Sequence, residues 1–256
     1  MTKMEYAEEI AKEIGGVAKE VTKNNGVTLI GISLKNVGIS PCVYIDSMYE
    51  QGMTVGEATA EVKEIMDSNP ALTDFAPEML TDFAKAKQFL SLRLYNADNK
   101  YEVSKSAVEY GFDDLIIIPV LTGFMPNASV KVGKDLIKHW NVTEEEVFAT
   151  AKANMNVDDY EITDINEMLK ILGAPVPMYV LSNKDRIFGA IGAIILRDKL
   201  KKMFPNGYTV IPSSVHEVIV IPNTENDDEI RKMINEVNAT QVAPDEVLGN
   251  KPYIFA

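Results

Sequence analysis

Apolar residues at Met4, Ala7, Ala11, Ile14, Ala18 and Val21 recur every three or four positions, with Glu5, Glu8, Glu9, Lys12, Glu13 and Lys19 between them. That spacing predicts one amphipathic helix. Asn24-Asn25-Gly26 ends it, since Asn and Gly accept the left-handed conformation. Val27 to Leu34 alternates and is β-branched, which predicts a strand. A turn over Asn36 to Pro41 then leads to a second strand, Cys42 to Ile45, so the two form a hairpin on which the first helix packs. Val55, Ala58, Val62, Ile65 and Met66 mark the core side of a helix over Thr54 to Met66. Asn69 to Pro77 reads as a loop, and Pro77 to Ala86 as a short helix with proline in its first turn.

Gln88 to Tyr95 is strand-like again. Asp114 to Val120 is apolar at nearly every position, as in a strand covered on both faces. Pro119 inside it lacks a donor and argues for an edge, an end or a bulge. A strand over Ser129 to Val132 precedes a helix ending at Trp140. Thr143-Glu144-Glu145-Glu146 is a capping box opening a helix to about Asn154. A short helix is expected over Thr163 to Leu172, broken by Gly173-Ala174-Pro175. Met178 to Leu181 is a strand, and Asn183-Lys184-Asp185 a turn. A strand-to-helix passage runs through Ile187 to Leu196 and on to Lys202. Tyr208 to Ile211 and Val215 to Ile221 make a hairpin. A helix over Asp228 to Val237 and a strand over Tyr253 to Phe255 complete the chain.

Several of these strands are joined by turns too short for a parallel crossover. The expected fold is therefore α+β, a mostly antiparallel or mixed sheet with helices packed on it. The chain reads as a single unit over 1–256. A candidate joint near 123–127 would divide it into two α/β lobes, an N-terminal lobe 1–125 and a C-terminal lobe 126–256.

Composition narrows the function classes. The net charge is -13, and it is spread evenly: 11 Lys+Arg against 19 Asp+Glu to residue 125 gives -8, and 14 against 19 beyond gives -5. Phosphate neutralisation needs clustered cations, so the reading excludes nucleic acid as a partner. Arg197, Lys199, Lys201 and Lys202 form a short basic group that reads as the solvated face of a helix. The longest apolar run, Ile187 to Leu196, is about half of what a membrane span requires, so no membrane partner is expected. Met1 to Glu20 is charged throughout, unlike a signal peptide. Cys42 is the one cysteine, which fits a reducing compartment and a cytoplasmic location. It reads as a small buried hydrophobe rather than a nucleophile.

The densest candidate chemistry is Pro212-Ser213-Ser214-Val215-His216-Glu217-Val218. Ser213 or Ser214 as nucleophile and His216 as base, oriented by a distant carboxylate, would make a hydrolase, with Glu217 a further catalytic candidate beside them. Against this, alternation along a strand sends His216 and Glu217 to opposite faces. The preferred reading has the serines in a turn and His216 and Glu217 flanking a buried strand. The segment is no zincin, because no histidine follows at helical spacing. Gly189-Ala190-Ile191-Gly192 lacks the lysine of a P-loop and the third glycine of a dinucleotide fingerprint, and reads as close backbone packing. Asp158-Asp159 and Asp227-Asp228-Glu229 do not match a calcium loop. The latter, like Glu144 to Glu146, suits a helix start, and His139 suits a helix end. No metal and no cofactor is expected. Arg93 interrupts an apolar strand, and if buried it needs a partner. Arg93, Asn96, Asn183 and Asn238 are the candidate ligand-binding residues.

Several segments together resemble an uncharacterised family common in Firmicutes, domain of unknown function 5688. They are Val27 to Ser33, Arg93-Leu94-Tyr95-Asn96, Trp140 to Glu146, Met178 to Asn183, Ile211 to Val218, and Val237 to Thr240 followed by Val242-Ala243-Pro244 and Glu246-Val247-Leu248. They run in order through nearly the whole chain. The chain departs from the family's usual Arg-x-Ile/Val-Asn by having Tyr95, and has a short link at Gly111 to Asp114 where members often carry a longer basic stretch. The resemblance implies one architectural unit and no activity, cofactor or substrate. The leading expectation is a non-catalytic cytoplasmic protein that binds a protein or small ligand. The alternative is the Ser213 or Ser214 hydrolase with His216.

Overall fold

Two consecutive glycines decide the first departure from the expected pattern. In the computed structural model, which describes residues 1–35, 40–68, 78–125, 128–166, 177–224 and 226–256, helix α1 (Lys3–Glu13) stops long before Val21. It starts on a capping box between Thr2 and Glu5. Gly15 then takes φ +70°, a backbone turn that side chains disfavour. Gly16 opens strand β1 (Gly16–Thr22), which pairs antiparallel with β2 (Thr28–Leu34), from Gly16 opposite Leu34 to Thr22 opposite Thr28. Positions 17 to 21 (Val-Ala-Lys-Glu-Val) keep helical spacing, yet they follow two glycines. Each glycine costs a helix about 1 kcal/mol, and β2 supplies a ladder. Asn24–Gly26, with Asn25 at φ 56°, is therefore a hairpin turn rather than a helix end.

The chain divides into two units, Met1–Pro77 and Glu78–Ala256. In the first, β3 (Val43–Tyr44) adds to β2, followed by α2 (Asp46–Glu50) and α3 (Val55–Ser68). Tyr6 and Ile10 of α1, Ile30 and Ile32 of β2, and Val62 and Met66 of α3 form its core. Cys42 is free and half-buried, with its thiol against Gly31.

The second unit runs through α4 (Glu78–Thr81), α5 (Phe83–Ala86), β4 (Leu90–Asn96), β5 (Lys105–Ser106), β6 (Leu115–Thr122), β7 (Ser129–Lys131), α6 (Lys134–Trp140), α7 (Glu144–Asn154), β8 (Tyr160–Asp164) and β9 (Tyr179–Asn183). It continues with α8 (Gly192–Ile195), α9 (Arg197–Met203), β10 (Tyr208–Ile211), β11 (Glu217–Pro222), α10 (Asp227–Thr240) and β12 (Tyr253–Phe255). One sheet has the order β4-β6-β5, with β7 also on β6. The other has the order β12-β10-β11-β9-β8. Every described strand pair is antiparallel, so the fold is α+β.

Pro119 lies inside β6 although that strand is central. Its carbonyl accepts from the Val132 N–H at 3.0 Å, so its backbone faces away from β4. On that side β5 begins with Lys105 opposite Ile117, and β7 finishes with Lys131 opposite Val120. The missing donor falls at this interruption, where no ladder bond is lost.

Other expectations shift as well. Thr163 and Asp164 belong to β8, not to a helix. Ile187 to Leu196 holds no strand; it passes through a 3₁₀ turn (Gly189–Ile191) into α8. Of the expected joint at 123–127, residues 126 and 127 lie outside the described residues, and its flanks β6 and β7 pair in one sheet. The expected loop Asn69–Pro77, the Gly173-Ala174-Pro175 break and parts of the Asn36–Pro41 turn and the Thr163–Leu172 helix also lie outside them.

In the five-stranded sheet, Leu181, Val210, Val218 and Val220 face the large core shared with β4 and β6. Ile211, Ile219 and Ile221 face the opposite way, against Ile230 and Ile234 of α10.

Candidate functional site

The segment expected to extend as a strand turns instead. The Ser214 N–H donates to the Glu217 carbonyl at 3.1 Å, and the Val215 N–H to the Glu246 carbonyl at 2.9 Å. The Ser214 hydroxyl accepts from the His216 N–H at 3.1 Å. Glu217 begins β11, opposite Ser182, so His216 sits in the bend before the strand. Alternation therefore does not govern where its ring goes.

Both ring nitrogens of His216 are engaged. Nδ1 accepts from the Phe188 N–H at 3.1 Å. Nε2 lies 3.2 Å from Glu246 Oε1. A backbone N–H can only donate, so the neutral ring carries its proton on Nε2, the nitrogen at ion-pair distance from Glu246. Neither Ser213 nor Ser214 bonds the ring among the described hydrogen bonds, and Glu217 is not its carboxylate partner.

Phe188 is held from both sides. The Asn183 side chain accepts from the Ile187 N–H at 2.9 Å and donates to the Ile187 carbonyl at 2.8 Å, closing the loop before it. After it, the Gly189 N–H donates to the His216 carbonyl at 2.9 Å, and the Ser182 hydroxyl to the same carbonyl at 2.8 Å. A Cβ on Gly189 would stand 2.7 Å from that carbonyl and closer still to the Asn183 nitrogen and Ser182 Oγ. The small residue permits the close packing the sequence suggested. Between these ties Phe188 adopts φ 55°, a conformation that costs a non-glycine residue about 1–2 kcal/mol.

The Phe188 ring meets His216 at 5.1 Å between centroids and Tyr95 at 6.1 Å. The Arg93 guanidinium lies 3.5 Å from its centre. Arg93 is 8% exposed. It donates from Nη1 to the Ser129 hydroxyl at 3.0 Å. No carboxylate among the described residues is within ion-pair distance of it. Burial pushes the guanidinium below its ordinary value, and the Tyr95 hydroxyl beside it acts in the other direction.

Strand register explains this grouping. Arg93 is opposite Ile118, Tyr95 opposite Ile116, Lys131 opposite Val120, and Ser129 opposite Thr122. All therefore share one face of the sheet. Lys131 bonds the Tyr101 hydroxyl and lies 4.2 Å from the Tyr101 ring centre and 5.5 Å from that of Tyr95. Beside it opens a pocket of about 240 Å³, lined by Tyr101, Ile118, Lys131 and Gly133 among others.

Of the predicted site residues, Arg93, Asn183 and His216 converge on Phe188. Asn96 and Asn238 do not. Asn96 caps Asp98 and donates to the Leu248 carbonyl at 3.4 Å, and Asn238 donates to the Gly249 carbonyl at 2.9 Å. Together they hold the chain just after Glu246. Sequence reasoning missed Glu246, Phe188 and Ser129, which carry no local motif. Among the described residues, no group of three or more His, Cys, Asp or Glu is placed to hold a metal ion. No described helix is long and apolar enough to cross a membrane.

A family model described as "Family of unknown function (DUF5688)" matches residues 3–256. No curated protein and no solved structure matches the chain.

Proposed function

The chain belongs to that family of unknown function, and we propose that it is a non-catalytic binding or interaction protein of the cytoplasm, taking a small ligand or a protein partner. The supporting observation is the state of His216. A serine nucleophile needs an imidazole lone pair free to take its proton. Here the lone pair on Nδ1 already accepts from Phe188, and Nε2 lies 3.2 Å from the Glu246 carboxylate. The Ser214 hydroxyl is turned to the backbone. The acidic charge of both halves weighs against nucleic acid, and the lone cysteine suits a reducing compartment.

One observation favours the hydrolase alternative with Ser213 or Ser214. An imidazole facing a carboxylate is part of a triad, and Glu246 supplies it 3.2 Å from His216. A panel of ester, amide and phosphoester substrates tests both readings, using the wild type, His216→Ala and the Ser213→Ala/Ser214→Ala double variant. The binding reading expects no turnover that depends on these residues. Turnover that disappears in a His216→Ala protein with native Trp140 emission would overturn it.

A further inference from the structure

Strand β1 is an open edge. The sheet of the first unit runs β1-β2-β3, so β1 is paired on one side only. The Lys23 N–H donates to the Val27 carbonyl at 2.7 Å and the Lys35 N–H to the Gly15 carbonyl at 3.4 Å, both in register with the β1–β2 pairs. Bonded pairs alternate along an antiparallel ladder. Val17, Lys19 and Val21 therefore bond to β2, while Ala18, Glu20 and Thr22 turn their backbone N–H and C=O groups outward. No described backbone hydrogen bond reaches those outward groups. The pairing runs without a bulge or a proline over all seven residues of the strand. Such an edge is a template for another strand.

One face of this edge is also bare. Ala18 lies opposite Ile32, on the face where Tyr6 and Ile10 of α1, Met48 of α2 and Val62 of α3 pack with Ile30 and Ile32. Val17, Lys19, Val21, Leu29 and Gly31 alternate to the other face, joined by Tyr44, which is opposite Gly31. A Cβ on Gly31 would stand 3.3 Å from Val21 and 3.4 Å from Tyr44, and closer still to Cys42 Sγ, so these side chains share that second face. Val17, Val21, Leu29 and Tyr44 belong to no described core cluster, and Val17 is 41% exposed.

The two faces differ in charge. α1 carries four glutamates against two lysines, and α3 four carboxylates against one lysine. The bare face carries Lys19, with Lys23 held 4.5 Å from the Tyr44 ring centre and 3.4 Å from its hydroxyl, and no strand position on it is acidic. Among the described residues no carboxylate is within ion-pair distance of either lysine.

We propose that β1 accepts an extended, acidic segment of a partner protein as an added strand, with a carboxylate paired to Lys19 and apolar side chains two residues before and after it resting on Val17 and Val21. Main-chain bonds to Ala18 and Glu20 supply the attachment, and the alternate side chains supply the selection. Unlike charges directly opposite each other stabilise a strand pair, and like charges oppose it. The register that would pair the whole of β1 with that of a second copy sets Lys19 against Lys19. The same lysine thus invites an acidic strand and resists self-pairing. The site stands apart from His216, so turnover lost in His216→Ala defeats the binding reading above and leaves this proposal intact.

Selection of random heptapeptides displayed on phage against the full chain tests it. The expected enrichment is Asp or Glu with an apolar residue two positions to either side. An enriched peptide, synthesised and titrated, should give saturable NMR shifts and slowed exchange at the Ala18 and Glu20 amides. Lys19→Glu weakens that peptide by about fivefold or more, and selection on this variant enriches Lys or Arg at the central position instead. Ala18→Pro removes an outward donor at no cost to the β2 ladder and abolishes binding. If Ala18→Pro loses amide protection in β2, Lys19→Glu carries the comparison. No enrichment, enrichment without the acidic position, an affinity unchanged in Lys19→Glu, or shifts confined to residues remote from β1 overturns the proposal. Protection of the Ala18 and Glu20 amides by self-association assigns the edge to a second copy, and displacement of the peptide by mixed-sequence single-stranded DNA assigns it to nucleic acid. Either result overturns the proposal as well.

Discussion

The backbone N–H of Phe188 donates to Nδ1 of His216 at 3.1 Å, and Phe188 makes this bond with its own backbone at φ 55°. The imidazole thus holds a conformation that the phenylalanine does not favour by itself. Through it, His216 keeps the aromatic ring against the Arg93 guanidinium. His216→Ala is expected to speed hydrogen exchange of the Phe188 amide at least tenfold in two-dimensional NMR. The amides of β9 and β11 should keep their protection. Phe188 exchange unaffected by the substitution would contradict this coupling.

Gly189 is a second fixed point. A methyl group there meets the Asn183 nitrogen, Ser182 Oγ and the His216 carbonyl, and two of the three are backbone. Gly189→Ala should destabilise the second unit by about 1–3 kcal/mol, measured by urea unfolding followed through Trp140. That tryptophan is buried and donates from Nε1 to the Leu80 carbonyl at 2.9 Å, so its emission reports the unit that contains the site.

Leu181 tests the packing beneath the site. It is fully buried between the two sheets and paired opposite Val218 and Ile162. Leu181→Ala should cost about 2–5 kcal/mol, read in the same way. Ile10→Ala falls in the separate core of the first unit. It should leave the Trp140 transition closer to that of the wild type than Leu181→Ala does.

Alkaline pH should weaken the fold through buried phenols. Burial, with Asp159 nearby, pushes Tyr160 up to about 12. Tyr101 is raised by burial and by Tyr95. Tyr253 is raised by burial and by its 2.7 Å hydrogen bond to Asp114. An acid whose native value exceeds its unfolded one keeps more protons in the native state. Stability from these groups is therefore complete below about pH 10, the ordinary tyrosine value, and falls as pH rises from there through 12. Urea midpoints at pH 8, 10 and 11 should decline in that order. Absorbance at 295 nm should show native phenolate formation lagging that of the unfolded chain.

Elements with dense local signals were legible in the sequence. The N-cap at Thr143 opens α7, with its hydroxyl accepting from the Glu146 N–H, although the reciprocal half of the expected box is absent among the described hydrogen bonds. The β10–β11 hairpin and α3 follow from alternation and from helical spacing. Misreadings fell where helical spacing ran on past two glycines, as at Val17 to Val21, and where a strand such as β8 is half exposed and polar. Arg93 could be flagged because a cation in an apolar strand is conspicuous in any sequence. Its neighbours could not, since Ser129 and Phe188 reach it through sheet register and a left-handed residue. Glu246 meets His216 from thirty residues further along the chain, a distance no local pattern spans.

The protonation of the His216 ring tests the central claim most directly, and nitrogen NMR of ring-labelled protein at neutral pH reads it. The account predicts the neutral form with hydrogen on Nε2, and Nδ1 shifted as a hydrogen-bond acceptor and coupled to the Phe188 amide proton. A ring carrying its hydrogen on Nδ1, with the Nε2 lone pair open to a serine hydroxyl, would contradict it and restore the hydrolase.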